Sequence, residues 1–220
     1  MPTSTEPAAD ALLTLAQWLS PAYPTGGFAW SHGLETEVAE GRVRDRESFA
    51  AWLACVLEHG AGRAEAVFLM DGWRAETAEA AQEADATARA FAPSAERRAE
   101  TLEQGAAFAR TTAAVWGLDL APMAQPVAVG RAARLMGLPA EETLRLYLHA
   151  FATALAGAAQ RLVPLGQTEA QQALAAAAPL CARLAREAGA LGPDDLSSIA
   201  WAADIASMRH ETLETRLFRS

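Results

Sequence analysis

The sequence predicts an all-α protein, a single-domain bundle of roughly eight to ten helices, and three observations carry that expectation. About a quarter of the residues are alanine, the best helix former, while the strand-favouring Val, Ile, Tyr and Thr are sparse. Apolar residues recur at helical spacing, and no period-two alternation persists over five residues anywhere. No Gly/Ser-rich linker, charge block or fixed-period repeat divides the chain.

Taken in order, residues 1–9 read as a flexible tail, 10–210 as the helical body and 211–220 as a separate C-terminal tail. Asp10 caps a first helix carrying Leu12, Leu13, Leu15 and Leu19, which Pro21 terminates. A short helix follows from Ser31 to Gly41. Asp45 caps the next, in which Phe49, Trp52, Leu53, Val56 and Leu57 form a wide apolar stripe, and His59-Gly-Ala-Gly62 breaks it. Val67, Phe68, Met70 and Trp73 begin a helix that continues through Glu76–Arg89. Ser94 caps a helix to Trp116, closed by Gly117. Pro126 sits in a first helical turn that leads to Gly137. Pro139 opens the longest apolar helix, whose small run Ala156-Gly157-Ala158-Ala159 would admit close neighbours, and Pro164 ends it. Thr168-Glu-Ala-Gln171 has the form of a capping box, Pro179 bends or divides the helix it starts, and Pro193-Asp194-Asp195 opens a last helix with Leu196, Ile199, Ala200, Ala203 and Met208.

Composition excludes several classes. A net charge of −9 argues against nucleic-acid or anionic-membrane surfaces. No window approaches an uncharged membrane span, no signal peptide opens the chain, and Cys55 and Cys181 are only two, so the expectation is a reduced, cytoplasmic protein with both thiols in the core. The four histidines (32, 59, 149, 210) are scattered. His210-Glu211 begins like H-E-x-x-H, but Glu214 stands where a second ligand belongs. No phosphate loop or nucleophile elbow is present, and the neighbours Ser31 and His32 point about 100° apart on a helix. The expectation is a non-enzyme with no cofactor and no metal site.

Three stretches fit a plain helical bundle poorly. Ser20–Glu35 packs Pro21, Pro24, a Gly26-Gly27 pair and the aromatics Tyr23, Phe28 and Trp30 into a dozen residues, which makes a shaped turn. Arg161-Leu-Val-Pro-Leu-Gly-Gln167 is a helical corner rimmed by Arg and Gln. The tail places Leu217 and Phe218 between Arg216 and Arg219, a composition of interface anchors. Ordering it costs roughly 1–2 kcal/mol per residue, so it is expected to need a partner.

All three resemble one family. Leu-x-Ser-Pro-x-x-Pro-x-Gly-Gly-Phe-x-x-Ser-His-Gly-Leu-Glu is similar to the N-terminal signature of the urease accessory protein F family; Arg161-Leu-x-Pro-Leu-Gly-Gln167 resembles its central corner, and Met208-Arg-His-Glu-Thr…Arg-Leu-Phe-Arg-Ser220 its C-terminal signature. Trp30 stands where Tyr is more usual, and Glu169-Ala170 replaces the usual Asp-Gly. The resemblance implies a non-enzymatic, all-helical homodimer that joins accessory proteins UreD (also called UreH) and UreG, a nickel-carrying GTPase, to activate the urease apoprotein. By the same resemblance the partner-binding residues are Pro21, Tyr23, Gly26, Gly27, Phe28, His32 and Glu35 in the turn, Arg161 and Gln167 at the corner, and His210, Glu211, Arg216, Leu217, Phe218 and Arg219 in the tail. Two alternatives stay open: a direct regulator of that GTPase, with Arg161, Gln167 or Arg216 acting on the phosphates, and a helical small-molecule-binding regulator.

Overall fold

The computed structural model describes residues 6–220, with side chains from residue 10 onward. It is all-α: ten α-helices and two single 3-10 turns, with no strand among the described residues. They are α1 (Glu6–Trp18), α2 (Leu34–Ala39), α3 (Arg46–His59), α4 (Ala61–Arg74), α5 (Ala78–Phe91), α6 (Ala95–Trp116), α7 (Gln125–Leu135), α8 (Ala140–Leu162), α9 (Gln167–Ala188) and α10 (Trp201–His210). None is long and apolar enough to cross a membrane. Of the expected N-terminal tail, residues 1–5 lie outside the described residues and 6–9 already belong to α1.

Caps decide where most helices begin and end. Asp45 accepts from the Ser48 amide at 2.9 Å while Ser48 Oγ accepts from the Asp45 amide, a full capping box for α3. Ser94 caps α6 through the Arg97 amide, and Gly117 closes it in the left-handed region at φ 67. Elsewhere the structure corrects the sequence reading. The helix expected to run from Val67 to Arg89 is two helices, because Thr77 Oγ1 accepts from the Ala80 amide and restarts the chain as α5. α9 starts at Gln167 rather than Thr168, since Glu169 reaches back to the Gly166 amide at 2.9 Å; Pro179 sits inside a continuous helix. Pro193–Asp195 forms one 3-10 turn, and α10 starts only at Trp201 after Ile199 and Ala200 donate to the His59 carbonyl.

The hub of the bundle is α4, packed against α3, α5, α7, α8 and α9. Its crossing with α7 is the tightest: a Cβ on Gly130 would stand 2.0 Å from the Leu69 carbonyl oxygen, so only glycine fits there. On α8 the small residues Ala156, Ala158 and Ala159 are buried as the small run implied, while Gly157 faces open space. Cys181 is buried, and burial pushes its thiol up to about 11; Cys55, expected in the core, is exposed on α3.

The largest departure is at the C-terminal end. Ile199 and Met208, apolar positions assigned from sequence to the last helix, are exposed with Trp201 and Ile205. Trp201, Ile205 and Met208 stand at i, i+4 and i+7, so α10 turns an apolar stripe outward. The C-terminal tail, expected to find order only on a partner, instead folds back onto its own domain.

Candidate functional site

Pro21 and Pro24 end α1, and the chain then turns through Tyr23, which is buried with its hydroxyl 2.8 Å from Thr112 Oγ1. Gly26 takes φ 77 and launches the 3-10 turn Gly27–Ala29, which leaves Phe28 82% exposed. Trp30 is buried, and every residue from Ser31 to Glu37 is buried with it. His32 takes φ 62, a left-handed conformation that no other non-glycine residue adopts among the described residues. Gly33 follows at φ 79, where a Cβ would strike the Ser207 amide nitrogen of α10 at 2.8 Å. These two left-handed residues swing Glu35, at the start of α2, beneath the C-terminal tail.

Glu35 is the anchor. One carboxylate oxygen accepts from the Leu217 amide at 2.6 Å, the other from the Phe218 amide at 2.9 Å. That second oxygen also lies 3.1 Å from His210 Nε2, while His210 Nδ1 lies 2.6 Å from Glu96. His210 is fully buried between two carboxylates, one at each ring nitrogen. Glu96 is shared with Arg216 at 2.6 Å.

The rest of the tail is held as firmly. Ser31 donates its amide (3.0 Å) and its hydroxyl to the Ser220 main-chain oxygen, and the His32 amide donates to Ser220 Oγ at 3.1 Å. Arg219 makes a two-pronged pair with Glu103 at 2.6 and 2.8 Å while lying 4.2 Å from the Trp30 ring centre. The Arg161 guanidinium stands 4.3 Å from the centre of the Phe218 ring and donates to the Phe28 carbonyl at 3.0 Å. Magnitudes explain the correction. Burying Phe218 returns about 1.5–3 kcal/mol, and each hydrogen bond to a carboxylate adds roughly 1.5–3 kcal/mol. Several such bonds offset the ordering cost of about 1–2 kcal/mol per residue.

A second chain of polar groups runs inward from the same point. Ser220 Oγ donates to Glu100 at 2.9 Å, Arg97 pairs with Glu100 and, at 3.0 Å, with Glu65, and the Tyr147 hydroxyl donates to Glu65 at 2.7 Å. Burial raises the Glu65 carboxyl and pushes the Tyr147 hydroxyl well above its ordinary range. These groups form the floor of a cleft of about 660 Å³ bounded by α1, the aromatic turn, α6, α8 and α9.

The structure therefore joins most of the residues named from sequence: Phe28, His32, Glu35, Arg161, His210, Arg216, Leu217, Phe218 and Arg219 meet around one seam. Glu211 sits at its edge, accepting from the Ala95 amide at 2.7 Å at the start of α6. Gln167 does not join; it lies exposed at the first residue of α9, and Pro21 is exposed on the rim of the cleft. Sequence reasoning missed Glu96, Glu100 and Glu103, which lie within the long helix capped by Ser94. Their spacing of i, i+4 and i+7 puts them on one face of α6, and that face opposite Arg216 and Arg219 was the available signal. It also missed Ser31, Ser220 and Arg97. The substituted Glu169 does the capping at the corner, and Trp30, the other departure, is the platform for Arg219. No group of three or more His, Cys, Asp or Glu among the described residues is placed to hold a metal ion.

A family model described as UreF matches residues 43–178. The chain is 54% identical over 210 residues to the urease accessory protein UreF of Cereibacter sphaeroides (strain KD131), covering 96% of this chain and 99% of that one. It is 55% identical over 211 residues to the protein of that name from Ruegeria sp. (strain TM1040), covering 96% and 99%. To that of Roseobacter denitrificans it is 50% identical over 211 residues, covering 96% and 95%.

Two predictions rest on this site. Glu35→Ala leaves two amides facing no acceptor and removes one of the two carboxylates at His210, so it should cost about 3–5 kcal/mol, with Glu35→Gln costing less because it keeps one oxygen. Thermal melting reads both; an unchanged midpoint for the alanine variant would contradict the anchor. His32 gives a pH dependence. Burial, with the Arg97 charge nearby, holds its pKa well below the ordinary 6.5, and its Nδ1 has no partner. The unfolded chain therefore takes up this proton first, and the contribution, complete above pH 6.5, is lost as pH falls toward the depressed folded value. His32→Asn, whose side chain tolerates the left-handed region, should flatten that loss in denaturant unfolding series. Parallel pH profiles for the two proteins would refute it.

Proposed function

The chain belongs to the UreF family of urease accessory proteins, and on that premise we propose that it is a non-enzymatic adaptor in urease maturation. It acts in the cytoplasm as a homodimer that joins a UreD/UreH-type accessory protein and a UreG-type GTPase on the urease apoprotein, where nickel is inserted. One observation carries the reading: α10 and the tail form a single ordered element that turns apolar residues outward. Trp201 is 69% exposed, and Ile205, Met208 and Leu217 stand with it in the open. Exposed aromatic and aliphatic side chains beside arginines are the usual anchors of a protein interface. The tail supports docking by holding this element rigid, which lowers the ordering cost of binding. In this reading Phe218, His210 and Glu35 position the surface, and Leu217 and the α10 stripe touch the partner.

Direct action on the GTPase fits less well. An arginine that reaches into a phosphate site must be free to leave its own surface. Arg216 is paired with Glu96, and Arg161 donates to the Phe28 carbonyl.

The test is capture of a purified UreD/UreH-type accessory protein. Trp201→Ala and Leu217→Ala should each weaken capture at least about tenfold, the scale of an interface hot spot, while melting stays unchanged. Capture at the wild-type level by the double variant would sink this assignment.

A further inference from the structure

Beside α10 lies a smaller cavity, of about 60 Å³, that takes no part in the seam. Ala61 and Phe68 of α4, Phe91 of α5 and Pro93 wall it, and Ser198 and Asp204 stand on its α10 side. A single water needs roughly 10–15 Å³ of such space, so the cavity takes a short unbranched chain of heavy atoms and nothing the size of a nucleotide. Trp201 Nε1 donates to the Ser198 carbonyl at 3.3 Å. The most exposed apolar side chain of α10 is thereby tied to the segment that borders the cavity, and stripe and cavity form one continuous surface.

Charge selects what enters. Glu65 and Asp204 line the cavity, with Glu100 close behind, against the single guanidinium of Arg97. Glu65 already gives one oxygen to Arg97 and the other to the Tyr147 hydroxyl. Asp204 gives one oxygen to Ser198 Oγ at 2.6 Å, and its other oxygen has no partner among the described residues. Burial raises the Glu65 carboxyl, as in a site short of positive charge. An acidic occupant would meet a surplus of carboxylates, and a purely aliphatic one would leave them uncompensated. A basic side chain answers both halves of the cavity, its methylenes on the apolar walls and its charged head on the carboxylates.

We propose that this cavity is the socket for one lysine or arginine side chain of the protein that covers the α10 stripe. The proposal rests on the docking reading above and adds the partner's chemistry to it: an apolar patch with one basic residue at its edge. The two features divide the work of recognition. Trp201, Ile205 and Met208 supply apolar contact, which slides easily, and a charged anchor in a closed hole fixes the register.

The experiment titrates a purified UreD/UreH-type accessory protein against the full chain and against Asp204→Asn, at low and at high salt. Asparagine keeps an acceptor for Ser198, so melting should stay unchanged. The dissociation constant should rise at least about tenfold, and affinity should fall less steeply with salt than for the wild type. Ala61→Leu, at a half-buried wall position in the first turn of α4, fills the socket and should weaken binding by a similar factor. Wild-type affinity in both variants, with Trp201→Ala still weakened, would overturn the socket and leave the docking reading standing. Wild-type affinity in all three, or no binding by the wild type, would overturn the two together. A weakened Asp204→Asn that keeps the wild-type salt dependence would mean an uncharged contact and refute the basic side chain.

Discussion

Everything distinctive in this molecule depends on one buried carboxylate. Glu35 cannot be solvated where it lies, so its two oxygens must be satisfied by donors brought from elsewhere. The chain supplies them from its far end: the amides of Leu217 and Phe218 and a ring nitrogen of His210. The left-handed backbone at His32 and Gly33 aims the carboxylate, and the aromatic turn before it provides the wall on which the tail lies. A stretch near residue 30 and one near residue 217 thus stabilise each other, and neither is well made without the other.

Surface ion pairs alone would not hold the tail. Arg219 and Glu103 are both about half exposed, and such pairs contribute little in water. Their role is to set register: Arg216 and Arg219 meet Glu96 and Glu103 on one face of α6 and place Phe218 between them. Register then carries Ser220 onto Glu100, from which Arg97, Glu65 and Tyr147 continue to the floor of the cleft. Tail and cleft are therefore contiguous through hydrogen-bonded groups with no intervening solvent-exposed link.

Local chemistry was legible in the sequence wherever it was self-contained. Asp45, Ser94, Gly117, Pro126 and Gly137 mark helix ends by their own side chains or backbone, and the structure places those ends there. The α4–α5 break was hidden because Thr77 competes with a run of good helix formers and wins through a single cap. The outward direction of the α10 stripe was not legible, because periodicity locates an apolar face without saying what it meets. The tail was recognised as unusual from Leu217, Phe218 and the flanking arginines. Its destination was not, because the acids that receive it lie well over 100 residues earlier and read as ordinary helix charge.

Amide hydrogen exchange at Leu217 and Phe218 in the isolated chain tests the central claim most directly. If Glu35 holds the tail, both amides should be protected to nearly the level of core amides in α4, and Glu35→Ala should release them together. Exchange of both amides at the rate of an unstructured peptide, in the wild-type chain without any partner, would contradict the account.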